Sequence, residues 1–257
     1  MDDTNVERDD SVVVTEVVDR VMLLKINRVA QANAMNRDVV RRLREAFEEA
    51  KWDESISAVI LTGEGKKIFC AGIDLKERSS LSEKEAFIDR EKNMLAFIQE
   101  AHKFPKPIIG AINGPALGGG AELALICDIR IAVPSARFGN TEIKWGMIPS
   151  MGGIQRLRLI VGMGRAKELL LTGKSIEAAV AERYGIYNSV VEEGKLLEEA
   201  FSVANGIAAN SQIAVMQTKR ALDLGADTQV PMALDFELSK ECFHKGDAFS
   251  GPAGFDK

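Results

Sequence analysis

The sequence predicts an α/β domain followed by a helical carboxyl-terminal region. Short runs rich in β-branched residues alternate with segments of helical period, the pattern of near-parallel strands joined by crossover helices. Beyond about residue 190 three amphipathic patterns, KLLEEAFSVANGIAAN, SQIAVMQTKRALDLG and PMALDFELSKECFHK, follow one another with no strand between them. The 257 residues, 46% hydrophobic and 28% charged, suffice for a sizeable core and confine disorder to the ends. The expected division is a polar tail over residues 1–10, a core over 11–195 and a helical region over 196–257.

Each element has a local reason. SVVVTEVVDRVMLLKINR is β-branched and broken by Asp19-Arg20, so it reads as two strands with a tight connection. In MNRDVVRRLREAFEEA, Asn36 can cap a helix whose Val39, Leu43, Phe47 and Ala50 share one face. SAVILTG is a short apolar strand. Residues 82–101 open with the capping box Ser82 to Glu85 and place Phe87, Met94, Leu95 and Ile98 on one helical face. PIIGAING and DIRIAV are further strands on either side of a glycine-rich helix start. FGNTEIKWGMIPSMGGIQRL reads as a loop leading through Gly152-Gly153 into a helix.

The net charge of −5, with Lys and Arg interspersed among acids, lacks the basic footprint that nucleic-acid binding needs. Cys70, Cys127 and Cys242 are far apart and in no metal-ligand spacing, and read as reduced packing thiols. No apolar run approaches the roughly 20 residues of a membrane span, and MDDTNVERDD is acidic where a signal peptide is basic. A cytoplasmic protein is expected.

One stretch does not follow from folding alone. PALGGGAELALICDIR sets three consecutive glycines before an apolar helix, where glycine is entropically costly and packs nothing. The free N–H groups of a helix's first turn bind anionic oxygen, and glycine lets a ligand come close to them. The spacing is neither GxGxxG nor GxxxxGK[ST]. A second break, Ala71-Gly72-Ile73-Asp74, could supply another N–H. Two N–H groups on one oxygen form an oxyanion hole, able to contribute ~10²–10³ in rate per donor. Each glycine cluster is equally compatible with a tight turn. Glu122 and Glu142 could divide acid and base roles, although spacing alone leaves each as a solvated surface residue. His102 and His244 are remote from these motifs, and there is neither an HExxH nor a GxSxG motif.

The ordered set FCAGIDLKE, KPIIGAINGPALGGGAELALICDIRIA and FGNTEIKWGMIPSMGGIQRL closely resembles the enoyl-CoA hydratase (crotonase) family, from about residue 12 to the last helix. The resemblance implies a crotonase-like spiral of ββα units with a carboxyl-terminal helical oligomerisation region, joined into homotrimers or hexamers. It implies an acyl-CoA thioester substrate, coenzyme A being part of that substrate, and no metal or other cofactor. The N–H groups of Ile73 and Gly119 would polarise the thioester carbonyl. Glu122 and Glu142 would hold a water, Glu122 accepting its proton as it adds to C3 of an enoyl thioester and Glu142 handling the proton at C2. The product would be a 3-hydroxyacyl-CoA. Ala32, Ala34, Ala71, Ile73, Asp74, Lys76, Gly118 and Gly119 would bind substrate and CoA. Double-bond isomerisation, hydration of a cyclic or branched acyl group, and a non-catalytic acyl-CoA-binding role are the alternatives. No lysine-rich helix supports the RNA binding known for some relatives. Asn27-Arg28-Val29 lacks the family's usual proline, with little expected effect. Trp145 and Ser150-Met151 also depart from the family; they would either reshape the acyl pocket or pack behind it, and packing is the expectation. The segment FSGPAGFDK replaces a basic one, with altered CoA affinity or subunit contacts as the expectation.

Overall fold

A computed structural model describes residues 11–225. β1 (Val13–Val18) and β2 (Val21–Ile26) pair antiparallel with Val18 opposite Val21, because Asp19 at φ 54° reverses the chain within two residues. From β2 onward the main sheet is parallel. β3 (Ala58–Gly63), β4 (Ile108–Ile112), β6 (Ile129–Ala132) and β8 (Ser189–Val190) complete it in the order β1-β2-β3-β4-β6-β8. The expected parallel arrangement therefore holds except at β1, whose connection is too short for a crossover. β3 and β4 are buried at every position, as strands covered on both faces must be.

α1 (Arg37–Trp52) begins where the Asn36 side chain accepts from Val39 N at 3.0 Å, and buries Val39, Leu43, Phe47 and Ala50 as its period predicts. After α2 (Leu75–Ser80), the Ser82–Glu85 capping box forms, Ser82 N donating to Glu85 at 2.9 Å. The helix it opens is not continuous, since α3 (Glu83–Asp89) passes through a wide π turn at Arg90–Met94 into α4 (Leu95–His102). This turn rotates the buried face onto Phe97 and Ala101 and leaves Leu95 exposed, contrary to the straight-helix expectation. Met94 and Ile98 still pack against the core; the side chain of Phe87 lies outside the described residues.

A second, two-stranded sheet pairs β5 (Ala116–Leu117) with β7 (Phe138–Gly139) and flanks α5 (Gly119–Ile126). Strands this short leave no periodic signal in the sequence. α6 (Gly153–Thr172) and α7 (Ala178–Arg183) follow, and α8 (Leu196–Ala208) lays Leu196, Ala200 and Ala204 onto β2, β3, β4 and β6. The first helix of the carboxyl-terminal region thus contributes to the core. α9 (Gln212–Gly225) is tied to Asp128, just before β6, by Lys219. The tail over residues 1–10, the pattern PMALDFELSKECFHK and Cys242 lie outside the described residues. Cys70 and Cys127 are free and buried, and burial pushes both thiols up to about 12. Among the described residues no helix is long and apolar enough to cross a membrane.

Candidate active site

The short sheet assembles the site. β5 runs directly into Gly118, β7 runs through Asn140 to Glu142, and Gly118 N donates to Gly139 O at 2.8 Å. Each of the three glycines has its own requirement. Gly118 adopts φ 53°, ψ −129°, a conformation that disfavours any side chain, and a Cβ there would stand 3.8 Å from Glu142 Oε1. At Gly119 a Cβ would meet Met35 Cε at 3.2 Å and Ile73 N at 3.4 Å. At Gly120 it would stand 2.0 Å from the carbonyl oxygen of Cys70, so the helix could not approach that backbone.

The Ile73 loop arrives from the other side. Met35 N donates to Gly72 O at 2.7 Å and Asp74 N to Met35 O at 2.9 Å, a bridge that uses the peptide groups on either side of the Ile73 N–H. Gly72, at φ 107°, brings the loop so close that its Cβ would lie 3.1 Å from Gly119 N. Neither the Ile73 nor the Gly119 N–H donates to a backbone carbonyl among the described residues. Gly119 is the first residue of α5, where a helix leaves its N–H unpaired. Two unpaired donors therefore stand together at the positive end of a helix.

Glu122, in the first turn of α5, is only 3% exposed, and its Oε1 accepts from Met151 N at 2.7 Å and Gly153 N at 2.9 Å. Gly153 makes this possible, because a Cβ there would press within 2.8 Å of the Glu122 Cγ and Oε1. Burial pushes the Glu122 carboxyl up to about 7; the Gly153 and Met151 N–H groups resist the shift and the nearby Glu142 adds to it. Glu142 opens a 3₁₀ turn ending at Trp145 and is 9% exposed, with both oxygens buried and free of any donor in hydrogen-bond geometry. Burial raises its pKa as well, opposed by the adjacent Asn140 amide. Spacing alone had left both glutamates on the surface; the packing of α5 and β7 beneath the start of α6 encloses them.

A cavity of about 510 Å³ contains this constellation. Ile73, Gly118, Gly119, Glu122 and Glu142 all line it, beside the apolar side chains of Met35, Val40, Leu81, Met94, Met147 and Met151. Of the remaining expected binding residues, Ala71 and Asp74 line the cavity and Ala32, Ala34 and Lys76 do not. Asp74 has its carboxylate committed to the N–H groups of Lys76 and Glu77 and to Arg28 at 2.9 Å, so it anchors the Ile73 loop. Ala32 supports the same loop through its carbonyl, which accepts from Ala71 N at 3.1 Å. Trp145 stands 68% exposed at the rim rather than packed behind the pocket, whereas Met151 is buried in the wall. Met35, Asn140 and the backbone donor Met151 escaped the reading of the sequence; the Gly152-Gly153 pair before α6 was the one available signal for the last. Among the described residues no group of His, Cys, Asp or Glu could hold a metal ion.

Fold and site together define an α/β protein in which two unpaired backbone N–H groups and two buried carboxyl groups share one cavity. A sequence model of the enoyl-CoA hydratase/isomerase family matches residues 16–256, and the chain belongs to that family. A short-chain-enoyl-CoA hydratase of Clostridium acetobutylicum is 40% identical over 91% of this chain and 90% of its own. A crotonyl-CoA hydratase of Syntrophomonas wolfei is 37% identical over 95% and 94%. The crystal structure of an enoyl-CoA hydratase from Bacillus anthracis superposes with a TM-score of 0.84 at 38% identity, over 91% of this chain and 90% of that one.

Proposed function

We propose that this protein is an enoyl-CoA hydratase that adds water across the 2,3 double bond of an enoyl-CoA thioester to give a 3-hydroxyacyl-CoA. The observation that carries the reading is the convergence of two buried glutamates and two unpaired N–H donors on one cavity. Isomerisation would need only one proton carrier, whereas hydration has to remove a proton from water and deliver one to carbon.

The proposed roles follow from the surroundings of each group. The thioester oxygen accepts from the Ile73 and Gly119 N–H groups, which stabilise the enolate-like charge formed as water attacks C3. Burial raises both carboxyl groups above the usual carboxylate range, Glu122 to about 7, so each can carry a proton more readily than a surface acid. Two N–H donors hold Glu122 Oε1 in place, and Glu142, whose oxygens have no donor in hydrogen-bond geometry, is assigned the proton delivered to carbon. Glu122 takes a proton from the attacking water, the hydroxyl bonds to C3, and Glu142 gives its proton to C2; proton exchange then resets the pair. Substrate contacts by Ala71, Gly118 and Asp74 belong to the same proposal. So do a cytoplasmic location, consistent with the free buried thiols, and a trimeric or hexameric assembly. Exposed Leu159, Met163 and Leu171 on α6 support assembly, which light scattering of the purified protein tests.

The direct test is loss of the conjugated enoyl-thioester absorbance with crotonyl-CoA, a longer straight-chain enoyl-CoA and a cyclic one. Rapid loss with a 3-hydroxyacyl product by mass is expected for the straight chains. Activity on the cyclic ester alone would restrict the function to that class, and conversion of a 3-enoyl-CoA without water addition would replace hydratase by isomerase.

A further inference from the structure

Asn140 is 1% exposed, and neither its Oδ1 nor its Nδ2 has a hydrogen-bond partner. A buried amide left unpaired costs stability, so its presence calls for an explanation outside folding. Its neighbours supply one. Asn140 lies two residues before Glu142, whose two oxygens are also buried and unpartnered. Its Nδ2 lies 3.2 Å from the point where a Gly153 Cβ would stand, the space that Glu122 Oε1 borders at 2.8 Å. Four unpaired buried polar atoms, two on Asn140 and two on Glu142, therefore occur within three residues of chain, with Glu142 close enough to Glu122 to raise its pKa.

We propose that Asn140 is a positioning residue for Glu142, its carboxamide turning over so that Oδ1 accepts from the protonated acid and Nδ2 donates to the carboxylate. A carboxamide is suited to this because it offers a donor and an acceptor at equal reach, where a carboxylate or an ammonium offers only one. Because neither amide atom is committed elsewhere, no existing bond must break for the group to turn. Among the described residues the titratable group that acts on Glu142 is Glu122 from α5, and from α6 the Gly153 backbone borders both Glu122 and Asn140. The inference rests on the proposed proton role of Glu142.

The test uses the full-length protein with Asn140→Leu and Asn140→Asp. Leucine matches the amide in shape and removes both orphaned atoms, so its thermal midpoint is expected to equal or exceed that of the wild type. Its kcat for crotonyl-CoA is expected to fall about tenfold, the effect of one lost hydrogen bond to a charged group, with KM within about threefold. Asn140→Asp adds a third carboxyl and is expected to move the alkaline limb of the pH profile upward. Exchange of the C2 hydrogens of butyryl-CoA with D2O reads proton transfer without water addition and should fall with kcat in Asn140→Leu. That exchange separates the two failures: hydration absent in the wild type overturns the function, while exchange unchanged in Asn140→Leu overturns the role of Asn140. A lowered thermal midpoint with unchanged kcat, exchange and pH profile would make Asn140 a folding residue and overturn the proposal too. If Asn140→Leu fails to fold, an unshifted pH profile in Asn140→Asp overturns it.

Discussion

Gly153→Ala isolates the placement of Glu122 from every other feature of the site. The new Cβ would stand 2.8 Å from both Cγ and Oε1 of Glu122, so the side chain must retreat several tenths of an ångström to reach ordinary contact beyond 3.4 Å. It cannot retreat freely, because it is buried and its Oε1 is held by the Met151 and Gly153 N–H groups. Displacement on this scale at a proton-transfer group is expected to lower kcat by about 10- to 100-fold. Gly153 is the first residue of α6, so alanine there gains less than the roughly 1 kcal/mol of a helix interior, and the thermal melt reads how much of the steric cost falls on the fold. Gly164→Ala is the control: it lies beyond the break in α6 at Gly162, where φ is 76°, and its Cβ would meet nothing within 4 Å, so kcat should not change. The assay is steady-state hydration of crotonyl-CoA with a thermal melt of each variant. Wild-type kcat in Gly153→Ala, with an unaltered melt, would refute the claim that Glu122 is seated against Gly153 and acts in turnover.

Glu122→Gln and Glu142→Gln are each expected to reduce kcat by about 10²-fold or more while acyl-CoA binding, read by calorimetry, persists. Because the folded Glu122 pKa of about 7 lies above its unfolded value, the folded state binds the extra proton, and stability falls as pH rises through that window. The loss is at most about 3 kcal/mol, and urea titrations from pH 4 to 8 should show a flatter dependence in Glu122→Gln than in wild type. Gly120→Ala would place a Cβ 2.0 Å from the Cys70 carbonyl oxygen, backbone that cannot yield, so destabilisation of about 3 kcal/mol or more is expected in denaturant melts.

Much of the fold was legible because local chemistry decided it. Asp19-Arg20 marked the hairpin, Asn36 capped α1, Ser82 and Glu85 formed their box, and the buried face of α1 followed its period. Long-range packing decided the rest. Nothing in residues 90–94 announces the π turn that moves the buried face to Phe97, and β5 and β7 are too short to show a period. The same division holds at the site. The glycines were conspicuous because each breaks a local rule, but burial of Glu122 and Glu142 depends on α6 meeting α5 and β7, contacts far apart in sequence. Asn140 carries no local mark, since only its enclosure makes an ordinary amide unusual.

The most direct measurement of the central claim is the fate of solvent oxygen. Crotonyl-CoA incubated with the protein in H2¹⁸O should give 3-hydroxybutyryl-CoA carrying ¹⁸O at C3, and the Glu122→Gln, Glu142→Gln double variant should give almost none while still binding the ester. A wild type that binds crotonyl-CoA without incorporating ¹⁸O, or a double variant that incorporates it at the wild-type rate, would contradict the assignment of water addition to this pair of carboxyl groups.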